Sequence, residues 1–452
     1  MDTTRGGLTI RQAAFIGVGA MVGAGIFSLL GPAGEVAGAA VWLSFMIAGF
    51  IALLQGYSFA KLGSKFPSGS GMIEYLSRGF GPGHFTGMSA WLVFASNIIV
   101  TSMVAVSFGS YASSMFAGSS ADWAKVFAVL IVLAMGTLNV VGSGAVAKVQ
   151  GMIVRVVIGI LVFFSIVTLA NADWSLLAFS GYPSMRQIVS SVALTFFAFL
   201  GFGVITFTAK DLRNPARELP RAMYIALAIA ATVYIAISLG VYGTLTVDQV
   251  IASGGTALAE AAKPTLGNAG YWLMAITALF ATAGATNSGI YPTAGLSKDL
   301  AAKGQFPPVL GRNVGRVSIA LGFMMVATVF LTVFFDLSAI ASLGSAVALL
   351  IFTLVSIAHL RVRHDTGARV MVLLLALVTT ATTFAVFVST TLKDEPATMT
   401  ALVVILALAV ALDLVWKRIA HRRAGHGTRV IDEAQGTVVK RRQLVGSTPG
   451  GA

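Results

Sequence analysis

The sequence predicts an all-α integral membrane protein with twelve transmembrane helices. Of its 452 residues, 57% are hydrophobic and only 10% are charged, whereas a soluble domain is about 25% charged. Apolar runs recur along the chain, and most are close to the roughly 20 residues that a helix needs to cross a bilayer. Long continuous runs favour helices over a β-barrel, whose strands are shorter and alternate in polarity.

The twelve runs follow one another along the whole chain with polar segments between them. They are Ala13–Leu30, Val41–Leu62, Phe85–Phe116, Val126–Val141, Gln150–Leu169, Ile188–Phe207, Met223–Tyr242, Tyr271–Ser297, Ile319–Phe335, Leu337–Leu360, Val370–Leu392 and Met399–Trp416. The third run is long and predicts a tilted helix. The fourth run is short, and Asp336 alone separates the ninth run from the tenth.

The distribution of basic residues predicts the topology. With twelve helices, 25 of the 30 Lys and Arg residues fall on the side that holds both chain termini, and four fall on the other side. This asymmetry is typical of a protein whose termini are cytoplasmic, and we expect a multi-pass protein of the plasma (inner) membrane. The net charge of +13 therefore reflects topology, and we expect no nucleic-acid partner.

The segments outside the runs add little chemistry. Val247–Leu266 has helical apolar spacing and predicts short helices on the outer face, and the basic stretch from His421 onward predicts a flexible tail. No signal peptide with a cleavage site is evident at the start. The chain has no cysteine and only five scattered histidines, and it lacks metalloprotease and P-loop motifs. We expect no enzyme activity, cofactor or metal site.

Two glycine-rich stretches stand out, Gly17–Phe27 in the first run and Phe196–Val204 in the sixth. One interpretation is close helix packing, since Gly19 and Gly23 have GxxxG spacing. The other is a pair of broken helices, because unwound backbone inside a membrane is tolerated only where it lines a cavity. Glycine-interrupted segments at matching places in two halves indicate a transporter site, so we favour broken helices.

Broken helices would supply the chemistry of an amino acid site. The free N–H groups at the start of the second half of helix one suit a carboxylate. The freed carbonyl oxygens of the breaks suit an ammonium group. Together they match the two charged groups of an amino acid, without any charged side chain in the membrane.

Several motifs resemble those of the amino acid–polyamine–organocation (APC) superfamily of permeases. They are Gly23–Phe27, Phe66–Gly71, Gly201–Thr206, Asn214–Ala222 and Ala261–Asn268. The third and fifth are most similar to the archaeal proton-coupled amino acid transporters of broad specificity in this group. The resemblance implies a LeuT-type fold of five plus five helices in inverted repeats, followed by two further helices. The implied organisation is a cytoplasmic N-terminus 1–12, a first repeat 13–170, a second repeat 171–360, helices eleven and twelve 361–417, and a basic cytoplasmic tail 418–452.

The resemblance also implies a set of site residues. The substrate carboxylate would be held by N–H groups of the first break, and the amine by carbonyl oxygens of both breaks. The N–H groups are those of Gly23, Ala24 and Gly25, the carbonyl groups are those of Met21, Phe197 and Leu200, and Gly201 belongs to the second break. The ring of Phe197 would be the gate over the occupied site. Asn97 is either a pocket residue or the donor of an interhelical hydrogen bond.

The sequence departs from the family pattern at three places. Gly203 stands where cation-selective relatives carry an acid, which favours neutral substrates. Val157 stands where proton-coupled relatives carry a lysine, and Ala283 and Gly284 stand where sodium-coupled ones often carry Ser or Thr. Arg155 lies two residues from the lysine position, and we favour a structural role for it over a role in coupling, since arginine keeps its proton.

We therefore predict a secondary transporter of amino acids, neutral ones above all, that works by alternating access. Coupling is left open between proton symport and amino acid exchange. The alternative substrates are cationic amino acids or polyamines. A channel or receptor is disfavoured because the sequence shows neither a repeated pore motif nor a ligand-binding ectodomain. The expected partners are the substrate, the lipid bilayer and, in the symport case, protons, and the expected state is a monomer or a weak homo-oligomer.

Overall fold

The computed structural model describes residues 8–68, 70–141 and 144–445, which form a bundle of α-helices. The helices are α1 Ile10–Ala24, α2 Leu30–Ala37, α3 Val41–Lys65, α4 Met72–Phe80, α5 His84–Phe116, α6 Ala121–Val141, α7 Gly144–Ala170, α8 Met185–Phe197, α9 Pro215–Tyr242, α10 Val247–Ser253, α11 Ala257–Glu260, α12 Lys263–Ile290, α13 Thr293–Ala302, α14 Ile319–Phe334, α15 Leu337–Arg361, α16 Arg363–Thr366, α17 Val370–Phe387 and α18 Pro396–Val445.

Shorter elements connect these helices. The 3-10 helices are Gly38–Ala40, Trp174–Leu177, Phe179–Gly181, Leu200–Asp211, Gly254–Thr256 and Pro308–Gly311, and a π-helix covers Val388–Leu392. Two-residue strands, β1 Asn313–Val314 and β2 Val317–Ser318, pair antiparallel with Asn313 opposite Ser318. The predicted all-α class is confirmed.

Ten helical segments of the described chain are long and apolar enough to cross a membrane, and two shorter apolar helices, Ile10–Gly23 and Ile319–Phe334, accompany them. The chain is therefore a multi-pass membrane protein. The twelve-helix count stays a prediction, since two of the twelve helices fall short of spanning length. The inverted repeat and the domain limits also stay predictions.

Helix boundaries follow local side-chain chemistry. Asp336 separates α14 from α15 because its Oδ1 accepts a 2.7 Å hydrogen bond from the Ala339 N–H and caps α15. Helix α6, which contains the fourth apolar run, is longer than that run, since it begins at Ala121. The segment after α9 folds into the expected short helices, α10 and α11.

The tail differs from expectation. We expected a flexible tail from His421, but α18 continues as a helix to Val445. No proline interrupts the chain between Pro396 and Pro449, so nothing in this stretch forces the helix to end. Residues 1–7 and 446–452, which hold parts of the predicted N-terminal and C-terminal segments, lie outside the described residues.

The bundle separates buried helices from peripheral ones. In α6, α7, α17 and α18, at most 28% of the most apolar window is buried, and large apolar side chains such as Leu130, Val156 and Val403 are exposed. Such faces fit contact with lipid tails. In contrast, α1 packs in the centre against α9, α12 and the 3-10 helix Leu200–Asp211.

The two ends of the bundle differ in what they carry. Leu8, near the chain start, pairs with Leu212, and at the same end His84 contacts Asp413 and Lys303 contacts Glu74. We call this end the terminal face. The opposite face carries the ends of α5, α9 and α14 together with α10 and α11.

Candidate functional site

The first helix is broken in the middle of the bundle. Between α1 and α2, Gly25–Leu29 is not helical. The Gly25 N–H donates to the Met21 carbonyl oxygen at 3.0 Å, and the N–H groups of Ser28 and Leu29 both donate to the Gly25 carbonyl oxygen. These bonds turn the chain from one helix half into the next.

The turn leaves a backbone donor unpaired. Ile26 is fully buried, and its N–H group donates to no atom of the described chain. A buried N–H normally has a partner, so this group marks the place in helix one where an anionic ligand group fits.

The donors differ from the predicted set. Gly23 and Ala24 are the last residues of α1, where N–H groups belong to the helical ladder, and the Gly25 N–H is taken by Met21. In this conformation the free donor, the Ile26 N–H, therefore lies one residue after the last donor that the resemblance implied. The role of Gly23, Ala24 and Gly25 in holding a carboxylate stays a prediction.

The sixth run is broken as well. Helix α8 ends at Phe197, and after a turn at Ala198 and Phe199 the chain continues as the 3-10 helix Leu200–Asp211. A 3-10 helix of 12 residues is unusual, since runs longer than three or four are uncommon and often mark functional hinges. The Phe197 carbonyl oxygen accepts no hydrogen bond from any described residue, so it is available to a donor.

The two breaks face each other at a distance that only glycine allows. A Cβ on Gly25 would overlap Ala198, and a Cβ on Gly201 would overlap the backbone of Ala20 and Met21. Gly23 touches α12 in the same way, because its Cβ would overlap Ala281 and Ala285. The structure therefore brings Met21, Gly25, Phe197 and Gly201 together, and Leu200 lies between the last two.

The ring of Phe197 is 1% exposed. It lies against Gly344 of α15, and Ile99 of α5 touches the same glycine. The ring therefore closes the space between the second break and two neighbouring helices. Its role as a gate stays a prediction.

Asn97 links two helices of the bundle. Its Nδ2 donates a 2.9 Å hydrogen bond to the Gly289 carbonyl oxygen and so joins α5 to α12. This geometry favours the interhelical alternative over the pocket role.

A small void lies where the resemblance places the coupling site. It measures about 10 Å³ and is lined by glycine and apolar residues of α1, α7 and α12, among them Val157 and Gly23. This volume is at the lower limit for a single water molecule, and Val157 is 4% exposed. Arg155 points elsewhere, since it is exposed and its Nε donates to the Gly151 carbonyl oxygen at 3.0 Å.

Three tyrosines that brace the breaks were not predicted. Their hydroxyl groups donate to backbone oxygens at the break ends: Tyr111 to Phe27 at 3.4 Å, Tyr234 to Ala198 at 3.3 Å and Tyr242 to Leu30 at 2.8 Å. In the sequence, the only signal was a tyrosine hydroxyl within an apolar run, and this signal does not identify the backbone oxygen that the hydroxyl contacts.

An ion-pair network on the terminal face was also missed. Lys303, just after α13, contacts Ser70 at 3.0 Å, Glu74 of α4 at 2.9 Å and Asp299 at 3.4 Å. Arg78 contacts Glu74 at 2.8 Å, and the Ser70 hydroxyl donates to Asp299. The network ties the segment after α3 to the segment after α12.

Burial alone would raise the pKa of Glu74, but the hydrogen bonds from Lys303 and Arg78 outweigh it, so the pKa lies below its ordinary value. Burial would likewise lower the pKa of Lys303, but the hydrogen bond to Glu74 outweighs it and raises that pKa. Both groups are therefore charged at neutral pH.

A family model for amino acid permeases matches residues 8–412. The chain belongs to the amino acid permease family. This family is one of transporters rather than enzymes, and its matched region includes both helix breaks, which agrees with the resemblance of the motifs.

Among similar proteins, two that are named as transporters support the same assignment for this permease. It is 31% identical to the inner membrane transport protein YbaT of Escherichia coli over 362 residues, 79% of the chain and 84% of the relative. It is equally similar, at 31%, to an uncharacterized protein of Methanocaldococcus jannaschii over 80% of the chain and 84% of the relative. It is 26% identical to the vacuolar cationic amino acid transporter 2 of Arabidopsis thaliana, over 79% and 60%.

Proposed function

We propose that this permease carries neutral amino acids across the plasma membrane by alternating access, with both termini in the cytoplasm. The observation that carries the proposal is the pair of breaks. The unpaired N–H group of Ile26 suits a carboxylate, and the unpaired carbonyl oxygen of Phe197 suits an ammonium group. Closely packed Gly25 and Gly201 hold the two breaks together.

Neutral substrates follow from the walls around the breaks. The ring of Phe197 and the side chains of Ile26, Phe27 and Ile99 are apolar, and Gly203 supplies no acid. A cationic side chain placed there would be desolvated without a counter-charge. The alternative substrates are cationic amino acids or polyamines, and the similarity to the cationic amino acid transporter of Arabidopsis favours the first of these.

Coupling is the second part of the proposal. The described residues that line the void at Val157 include no titratable group, and Arg155 is exposed and donates to the Gly151 carbonyl oxygen instead. We propose that the lysine-type proton switch is absent, which favours amino acid exchange over proton symport. We further propose that the protein works as a monomer or a weak homo-oligomer.

A ligand screen followed by uptake tests the proposal. Thermal unfolding of the purified permease with each of the twenty amino acids should rise for the substrates, because ligand binding stabilises the folded state. Uptake of the best ligand into proteoliposomes is then measured with internal substrate and with an inward pH gradient. Stimulation by internal substrate but not by the gradient is expected. Stabilisation by polyamines or cationic amino acids alone would favour the alternative substrates.

A matched pair of variants tests the location of the site. Gly25→Leu places atoms against Ala198 and should abolish uptake. Gly322→Leu on α14 has open space at its Cβ and should retain uptake. Normal uptake by the Gly25→Leu protein would contradict the placement of the substrate between the breaks.

A further inference from the structure

A second cavity lies on the face opposite the chain termini, away from both helix breaks. Its volume is about 670 Å³, within the range of small-molecule sites. Its walls come from the end of α5, the start of α6, the segment from α10 to α11, and the junction of α14 with α15. No residue of the two breaks lines it.

Of the six hydroxyl groups that line this outer cavity, all but that of Ser119 already donate their proton to a backbone oxygen. The bonds run from Ser110 to Val106 at 3.1 Å, Ser113 to Ser120 at 2.6 Å, Ser253 to Gln249 at 2.7 Å, Thr256 to Ser253 at 2.9 Å, and Thr332 to Thr328 at 2.7 Å. A hydroxyl that donates within the protein still has lone pairs to offer. These five hydroxyl groups therefore accept hydrogen bonds, which favours a ligand with N–H donors.

Two carboxylates strengthen this preference. Glu260 uses Oε2 in a 2.6 Å ion pair with Lys263, and Asp336 uses Oδ1 to cap α15. The second oxygen of each carboxylate has no hydrogen-bond donor in the described part of the chain. Both acids line the cavity, so each can accept from an ammonium group.

The same cavity also contains a positively charged side chain, that of Lys125. Lys125 is exposed. It forms no ion pair with any residue that the structure describes. A cavity that presents acceptors, two acids and one free ammonium group is matched by a ligand with an ammonium group at one end and a carboxylate at the other.

We propose that this outer cavity binds a zwitterionic α-amino acid, with its ammonium group on Glu260 and Asp336 and its carboxylate on Lys125. The choice of an amino acid as the ligand rests on the proposed function, whereas the donor and charge pattern of the cavity does not. The outer site is separate from the site between the breaks, so the permease holds two amino acids.

The outer site is connected to the first helix break through two contacts. Gly255 lines the cavity, and its neighbour Gly254 packs its backbone against Gly31 of α2. On α5, Tyr111 lies between two cavity residues and reaches the Phe27 carbonyl oxygen. A ligand in the outer cavity therefore contacts the elements that hold the outer half of helix one.

A cysteine reporter tests the proposal directly. The chain has no cysteine, so Ser110→Cys introduces a single thiol into the cavity. The variant is placed in phosphatidylcholine nanodiscs, whose lipid headgroup has no N–H donor, and its maleimide labelling rate is measured against L-alanine concentration. At L-alanine about ten times above Kd, labelling should slow about tenfold. Ser180→Cys, an exposed thiol outside the cavity, should show no protection.

Charge variants in the Ser110→Cys background assign the contacts. Lys125→Gln combined with Asp336→Asn should raise the half-protecting L-alanine concentration at least about tenfold, the effect of losing about 1.4 kcal/mol. Asparagine also caps helices well, so α15 keeps its start. Asp248→Asn, an exposed acid of α10 that does not line the cavity, is the matched control. Protection that survives the double variant unchanged would overturn the proposal.

A third experiment distinguishes binding in the outer cavity from binding between the helix breaks. Gly201→Ala disturbs the break and should abolish uptake while protection at Ser110→Cys persists. Loss of protection in that variant would place the ligand at the breaks and overturn the outer site. Protection without uptake of any amino acid by the unaltered protein would refute the transport proposal alone, and uptake without protection would refute the outer site alone.

Discussion

The hydroxyl of Tyr242, the last residue of α9, donates a 2.8 Å hydrogen bond to the carbonyl oxygen of Leu30, the first residue of α2. Both residues are buried, and Gly34, one turn further along α2, packs against the same hydroxyl. This bond fixes the start of the outer half of helix one on a long neighbouring helix, close to the unpaired Ile26 N–H of the break.

Tyr242→Phe should destabilise the permease by about 1 kcal/mol, the net value of a buried hydrogen bond, and should slow uptake because α2 is held less firmly. Thermal unfolding in detergent and uptake in proteoliposomes measure the two effects. Tyr224→Phe is the control, since Tyr224 is 37% exposed and its hydroxyl has no hydrogen bond to any residue described. Equal effects of the two substitutions would refute a specific role for the Tyr242 bond.

Gly201→Ala and Gly203→Ala make a matched pair two residues apart. A Cβ on Gly201 would overlap the backbone of Ala20 and Met21, whereas a Cβ on Gly203 would meet only the Met72 Cε at an ordinary 3.5 Å. Overpacking costs about 1–3 kcal/mol, so we expect lower stability and loss of uptake for the first variant only. Retained uptake in the Gly201→Ala protein would show that the breaks need not touch.

Glu74→Gln should weaken the network on the terminal face. In a double-mutant cycle with Lys303→Gln, we expect a coupling of about 0.2–1 kcal/mol, since Lys303 is partly exposed and solvent screens the pair. Faster opening of the terminal face should accompany the loss, and labelling of the single thiol of Ser297→Cys, a buried position of α13 outside the network, measures it. A cycle with no coupling energy would mean that the observed ion pairs do not hold the two segments together.

The pH dependence of this network follows from the direction of both shifts. The lowered pKa of Glu74 gives a stabilisation that is complete above its ordinary value of 4.5 and is lost as the pH falls through the folded-state pKa. The raised pKa of Lys303 gives one that is complete below 10.5 and is lost as the pH rises through the folded-state pKa. The difference in unfolding temperature between the wild type and Glu74→Gln should therefore be flat between these values. A slope near neutral pH would contradict it.

Val157→Lys and Arg155→Gln separate the two residues that sequence reasoning tied to coupling. Lysine at 157 would place a charge in a void of about 10 Å³ whose described lining offers no counter-charge, so we expect strong destabilisation and loss of uptake. Arg155→Gln removes an exposed charge and should change stability by less than about 0.5 kcal/mol, with uptake and its response to a pH gradient unchanged. A changed gradient response in the Arg155→Gln protein would assign this arginine to coupling.

The sequence located both helix breaks because glycine within an apolar run is a local signal, and Gly25 and Gly201 do lie where the breaks meet. It did not locate the free donor, since whether Gly25 or Ile26 keeps its N–H unpaired depends on the turn geometry. It also could not pair Tyr242 with Leu30 or Lys303 with Glu74, because each pair lies more than 200 residues apart and only the packed bundle joins them. The polar composition of the tail suggested a flexible segment where the structure has a helix, because polarity alone does not end a helix that lacks proline.

The 3-10 helix after the second break is longer than an α-helix with the same number of residues. Its 12 residues rise about 2.0 Å each, against about 1.5 Å in an α-helix, so conversion to α-helix would shorten it by about 6 Å. At its far end the Asp211 carbonyl oxygen accepts a 2.9 Å hydrogen bond from the Leu8 N–H, just before α1. A contraction of this segment would pull the start of α1 towards the second break, so that the two broken helices would move together.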